Sequence, residues 1–166
     1  MTTYRPRPVD PAALAELRVN DDAGRPTRPH TTPHGGEPLR CCLRKSLPGE
    51  RTVLVSYAPL RRWALETGAD PGAYEETGPV FLHAQECPGP DDPPLGYPFA
   101  RPGALRAFRR YDAHGRIVGG RLVELPLDTR AAYDTALTEA FEQPEVALVH
   151  VRAVEYGCFH FEVRRP

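Results

Sequence analysis

What the chain lacks narrows it first. Of 21 basic residues, 20 are arginine and only Lys45 is lysine; methionine and tryptophan occur once each. With abundant alanine, proline and glycine, this pattern marks GC-rich coding and carries no function by itself. The formal net charge of −1 gives no global attraction to nucleic acid or to an acidic membrane surface. No apolar run approaches a bilayer-crossing length, and the opening MTTYRPRPVDP has no apolar core of an export signal. The expectation is a cytoplasmic protein whose Cys41, Cys42, Cys87 and Cys158 are reduced. C-x-x-C, H-E-x-x-H, G-x-S-x-G, phosphate-binding loop and dinucleotide fingerprint are all missing, and Gly119-Gly120 alone is none of these. Neither a metal nor a cofactor is expected.

What is present divides near residue 103. Seventeen of the 20 prolines precede it, so a loop-rich part gives way to a regular one. Asp10 and Pro11 suit the cap and first position of a short helix, Pro11–Val19. Residues 20–37 hold five charges, three prolines and three glycines and read as an extended or disordered arm. There His30 and His34 have a metal-binding spacing only on a helix, which Pro29 and Pro33 oppose. Strands are expected at Thr52–Tyr57 and Pro79–His83, with a helical turn around Trp63 between them. Gly89–Gly103 is a long proline- and glycine-rich loop.

Beyond it, Leu105–Tyr111 and Arg116–Leu125 read as a hairpin about Asp112-Ala113-His114-Gly115, with Gly115 where φ is positive. Asp128–Glu142 reads as a helix with Tyr133, Ala136, Leu137, Ala140 and Phe141 on one stripe. The end, VALVHVRAVEYGCFHFEVRR, reads as two strands and a tight connection. The fold class is therefore α+β. Residues 1–37 are an arm that should be expendable, and 38–166 form a single domain. That domain is an antiparallel or mixed sheet of about six strands with one principal helix packed on it.

The terminal hairpin carries the densest chemistry. A turn at 153–156 would pair Arg152 with Gly157 and His150 with Phe159, placing His150 among Leu148, Phe159 and Phe161. Such a histidine is either a core residue with one partner or a base with a depressed pKa. Cys158 with His150 or Arg152 is the candidate nucleophile pair, although that register sets Cys158 and His150 on opposite faces. Cys41 and Cys42, adjacent on a strand, would also point apart. Residues 101–121 hold six arginines and one acid. Arg106 would face Arg121 across the hairpin with Arg110 beside them, a repulsion that needs a neutraliser. That is either the five acids of 128–145 or a bound phosphate or carboxylate.

Several segments together resemble a known family. They are Pro38-Leu39-Arg40-Cys41-Cys42-Leu43, Pro48-Gly49-Glu50-Arg51 followed by VLVSY, Gly78–His83, Leu105–Phe108 and His150–Cys158. In order and spacing these are similar to the small bacterial family called domain of unknown function 1203, over about Pro38 to Arg165. Family members tend to carry Cys-Arg near the start and His-x-His/Arg-Asn-Ala-x-x-Gly-Cys near the end. Here Leu39 stands for that Cys and Ala153 for that Asn, while Arg40, Cys42, His150, Arg152, Gly157 and Cys158 match. Residues 61–72 look like an insertion. The resemblance implies no assigned activity.

Two readings follow. In the first, a small-molecule enzyme or ligand-binding protein uses His150 and Cys158 as catalytic groups. Arg40, His83, Arg106, Arg110, Arg121, Arg152 and Tyr156 then bind a polar or anionic metabolite. In the second, a non-catalytic interaction module uses the proline-rich loops and the basic hairpin. Neither needs nucleic acid, a membrane or a cofactor, and nothing in the residues fixes an oligomeric state. Alkylation of the denatured protein without reductant should modify all four thiols; a mass matching fewer would reveal a native disulfide.

Overall fold

The computed structural model describes residues 4–92 and 95–166. Residues 1–3 of the arm and 93–94 of the proline-rich loop lie outside the described residues. In order the elements are α1 (Pro11–Leu17), β1 (His30–Thr31), β2 (Arg51–Tyr57), α2 (Pro59–Thr67), β3 (Gly78–His83), β4 (Leu105–Tyr111), β5 (Ile117–Glu124), α3 (Thr129–Phe141), β6 (Leu148–Ala153) and β7 (Phe159–Arg164), with a 3-10 turn at Gly72–Tyr74. The chain is α+β. Its strands form two antiparallel sheets, β1-β2-β3 and β5-β4-β6-β7, rather than one sheet of six. No helix among the described residues is long and apolar enough to cross a membrane.

Local signals explain most elements. The Asp10 side chain accepts from the Ala12 N–H at 2.9 Å, and that of Asp128 from Ala131 at 3.0 Å, each satisfying a donor left free at a helix start. The buried stripe of α3 is Tyr133, Ala136, Leu137, Ala140 and Phe141. It covers Phe108, Val149, Val151, Phe161 and Val163 of the four-stranded sheet and forms the larger core. At the β4–β5 turn Gly115 has φ +85°, and an added Cβ would lie 2.9 Å from Pro71 Cβ and 3.3 Å from Trp63. Glycine is required there by both conformation and room.

Longer connections and one bulge in each hairpin overturn the expected registers. The β6–β7 ladder pairs Val151 with Phe161 but Arg152 with Phe159, which leaves His160 as an extra residue. His150 therefore faces Glu162, not Phe159, and Phe159 turns onto the face of His150 instead of sharing that of Phe161. In β4–β5 a turn one residue longer than expected and the shift next to Tyr111 together pair Arg106 with Val123 and Phe108 with Arg121. Arg106 and Arg121 are thus not opposed.

The segment read as an arm belongs to the core. Val9, Ala13, Leu14 and Leu17 pack with Leu39, Val53, Val55, Tyr57, Val80 and Leu82 in a second cluster, into which Phe159 reaches from the other sheet. The Arg7 N–H donates to Glu162 O at 2.8 Å, covering the free edge of β7, and the Val9 N–H donates to Arg40 O at 2.9 Å. Asn20–Glu37 is held by Asp21 and Asp22, which accept from the backbone N–H groups of Ser56 and Ala58. Its apolar residues are few but well placed, which a composition argument averages away. Leu17 is fully buried, so Leu17→Ala should cost about 2–5 kcal/mol in urea unfolding. Deleting residues 1–37 should abolish cooperative unfolding; a truncated chain as stable as the full one would show the segment to be an appendage.

Candidate functional site

An open cleft of about 1200 Å³ lies where the two sheets meet. The N-terminal segment around Arg5–Ala13 forms one wall, and the loop on either side of residues 93–94 forms another. Tyr57, Trp63, Tyr97, Phe99 and Phe159 supply aromatic surface. Cys42, Arg44, His83, Cys87, Arg62, Glu162 and Arg164 supply polar atoms. Each of these arginines already faces a carboxylate: Arg44 meets Glu50 at 2.6 Å, Arg62 meets Asp22 at 2.7 Å, and Arg164 meets Glu66 at 2.8 Å and Glu162 at 2.6 Å.

The thiols gather on one wall. Cys41 and Cys42 sit not on a strand but in a helical turn closed by the Leu43 N–H donating to Leu39 O at 2.9 Å, with Leu43 at φ 59°. Successive side chains of such a turn are about 100° apart rather than opposed. Both sulfurs consequently reach His83 Nδ1, at 3.4 and 3.7 Å, and lie 4.0 Å from each other. One donor atom from each of Cys41, Cys42, His83 and Cys87 falls within 4.8 Å of the rest, the set of described residues arranged to hold a cation. The shared Cys41 S–H keeps the Cys42 thiol below its ordinary pKa, against the opposing effect of burial, while the same bond and burial push Cys41 up. All four cysteines are unbridged.

Arg40 lies behind this wall, 1% exposed. Its Nε and Nη2 donate to Phe159 O at 2.8 and 2.6 Å, Nη1 donates to Pro38 O, and Nη2 lies 3.4 Å from Cys158 Sγ. Phe99 stacks edge-on against His160 at 5.0 Å and sits under the Arg40 guanidinium at 5.9 Å. Below the floor His150 is fully buried between the rings of Tyr111 and Phe159, and its Nε2 meets Glu162 Oε2 at 3.1 Å. Burial pushes the His150 pKa down; the carboxylate opposes this but does not overcome it. Glu162 is held below the usual carboxylate range by His150 and Arg164, although its burial acts the other way. His150 and Cys158 therefore have separate partners and do not form a pair, and neither lines the cleft.

Of the remaining arginines, Arg106, Arg121 and Arg152 face carboxylates, whereas Arg110 is buried without a carboxylate partner among the described residues. Arg106 and Arg110 share the α3-facing side of β4 with Phe108 and are buried. Arg106 donates to Leu105 O and Phe99 O and faces Glu155 at 3.4 Å. Arg110 extends over Gly119, whose missing side chain leaves room for its stem. Arg121 pairs with Glu139 of α3. Glu76 bridges Arg109 at 2.8 Å and Arg152 at 3.2 Å, and Tyr156 is 86% exposed at the hairpin tip. Sequence reasoning named His83 but not Cys87, Arg44, Glu50 or Glu162. Glu50 follows Pro48-Gly49 in a segment already singled out, and that turn was the signal available for it.

His160 offers a test of this electrostatic map. Burial, then the charges of Arg40 and Arg106, push its pKa down from 6.5 to about 3. A group depressed in the folded state stabilises above its unfolded pKa and loses that contribution as pH falls toward the folded value. Urea midpoints should therefore drop between pH 6.5 and 4 in the wild type, and drop less in His160→Gln. Parallel pH profiles would place His160 in a solvated site.

Residues 36–165 match the family model described as "Protein of unknown function (DUF1203)". No curated protein and no solved structure matches the chain. The matched span takes in the Cys41-Cys42 turn, His83, Cys87, both sheets and α3, so the chain belongs to this family of proteins of unknown function.

Proposed function

We propose that the protein binds a small polar metabolite in the cleft between the two sheets. The observation that carries this reading is the make-up of the walls, in which aromatic faces from Tyr57, Trp63, Tyr97, Phe99 and Phe159 alternate with oriented polar groups. Small-molecule sites are concave and mostly apolar, with a few polar groups fixing orientation, and about 1200 Å³ leaves room for such a ligand and its water. Because Arg44, Arg62 and Arg164 each face an internal carboxylate, a multiply charged anion seated on them would have to displace several partners. A ligand with one carboxylate fits with least loss: it can replace the Glu66 carboxylate, 47% exposed, on Arg164. Glu162, kept ionised and fixed by His150, then accepts a hydrogen bond from a ligand N–H or O–H. The supported role is binding; His150 and Cys158 contribute to the scaffold rather than to a reacting pair.

Trp63 is the only tryptophan and lines the cleft, so its emission reports on occupancy. Metabolites with one carboxylate should shift that emission and raise the thermal midpoint, by about 2.7 kcal/mol of stabilisation at a hundred times Kd. Ala12→Phe, which fills the rim from the exposed side of α1, should weaken binding at least tenfold with the ligand-free midpoint unchanged. A panel that moves neither signal, with no small molecule retained in native mass spectrometry, would refute the reading.

A further inference from the structure

We propose that Cys41, Cys42, His83 and Cys87 form a binding site for a soft divalent cation of the zinc type. This goes beyond the metabolite reading and does not rest on it. The absence of C-x-x-C and H-E-x-x-H set such a site aside in the sequence, but those motifs are only the commonest ways to bring donors together. Here the fold does so: two donors come from one turn, one from the C-terminal end of β3 and one from the following loop.

Three of the six donor–donor edges match those of a tetrahedral site. With metal–sulfur bonds of about 2.3 Å and metal–nitrogen bonds of about 2.0–2.1 Å, the edges are about 3.8 Å between sulfurs and about 3.6 Å from sulfur to nitrogen. The observed edges are 4.0 Å from Cys41 to Cys42, and 3.4 and 3.7 Å from these sulfurs to His83 Nδ1. Each lies within a few tenths of an ångström of the ideal, and Cys87 completes the set within 4.8 Å of the rest.

The surroundings point the same way. His83 Nε2 lies 3.3 Å from Glu50 Oε1. Arg44 Nη2 lies 3.2 Å from the same nitrogen, so the two compete for it; with Arg44 turned to Glu50 alone, a proton on Nε2 donated to that carboxylate leaves the Nδ1 lone pair facing the sulfurs of Cys41 and Cys42, the carboxylate–histidine–metal arrangement that fixes tautomer and ring orientation. Glu50 is itself fixed by Arg44 at 2.6 Å and by the Leu47 N–H at 2.7 Å. The His83 backbone N–H donates to Cys41 Sγ at 3.2 Å, the kind of amide support thiolate ligands receive. Binding releases three thiol protons and leaves the centre at −1, with Arg44 against Glu50 and His83 to balance it. Four protein donors fill the tetrahedron, so the centre is a structural clip. It ties the turn carrying Arg40, the end of β3 and the loop that walls the cleft.

The full chain, purified without chelator, should carry close to one equivalent of zinc by elemental analysis. After stripping, cobalt(II) should bind at one per chain, with intense visible bands of tetrahedral geometry and a near-ultraviolet thiolate charge-transfer band. Cys87→Ser should weaken that band, and His83→Gln should lower affinity with the thiolate band retained. Glu50→Gln should keep the stoichiometry and lose about 10- to 100-fold in affinity by competition with a chromophoric chelator. The wild-type cobalt spectrum decides even if a variant fails to fold. Uptake well below one per folded chain, cobalt bound without the thiolate band, or a wild-type spectrum from Cys42→Ser would overturn the site. So would a vicinal Cys41–Cys42 disulfide formed in place of metal uptake.

Discussion

The guanidinium of Arg40 holds the two sheets together. It lies in a turn that pairs with β3 through the Arg40 N–H donating to Phe81 O at 2.9 Å. Its side chain reaches across to Phe159 O, the first carbonyl of β7. Among the described residues no carboxylate compensates it; its bonded partners are carbonyl oxygens and the Cys158 sulfur, and burial pulls its pKa down. A buried charge is tolerated only when its donors are satisfied, so this position constrains everything it touches. Lysine, with a point charge and no planar fork, could not serve Phe159 O with two donors while also bonding Pro38 O. Arginine here is a structural requirement, whatever the coding bias did elsewhere.

The bulge at His160 follows from the same junction. In a regular ladder Phe159 would share a face with Phe161 and Val163, inside the α3 core. The extra residue turns Phe159 toward the β2–β3 sheet, where it meets Tyr57 at 5.7 Å and His150 at 5.0 Å. One residue thus belongs to both sheets, and its carbonyl is the one Arg40 grips. The cleft exists because of this arrangement. Two sheets that share no ladder diverge from this junction, and the N-terminal segment and the loop on either side of residues 93–94 wall the space between them.

Much of this was legible in the chain. The α3 stripe, both aspartate caps, the β4–β5 turn and six of the seven strands follow from periodicity and turn chemistry. The division into two sheets does not, because nothing in a strand's own residues says which neighbour it pairs with. Nor does a bulge declare itself: a longer connection moves the partner of His150 from Phe159 to Phe161, only the extra His160 moves it on to Glu162, and such a one-residue slip reverses every face beyond it. The same limit hid the thiol cluster. Cys41 and Cys42 diverge on a strand and converge on a turn, and the sequence around them supports either. His83 and Cys87 join them only through the parallel bridge of Leu39 to Phe81, a contact between segments some forty residues apart.

The matched family span begins at residue 36, whereas the cleft wall of Arg5–Ala13 precedes it. Within that span lie the floor, Phe159 and Glu162, and the thiol turn with His83 and Cys87. The scaffold that orients polar groups is therefore distinct from the segment that narrows the opening. That segment is fixed mainly by its own burial, with Leu17 inside the second cluster and Arg7 on the edge of β7, and by the ion pair of Glu16 with Arg62. Its exposed rim residue Ala12 can vary without cost to the junction, because the buried residues that hold α1 in place point the other way. If the cleft binds a metabolite as proposed, its selectivity would change along this wall while Arg40, His150 and the turn of Cys41 and Cys42 stay as the two sheets require.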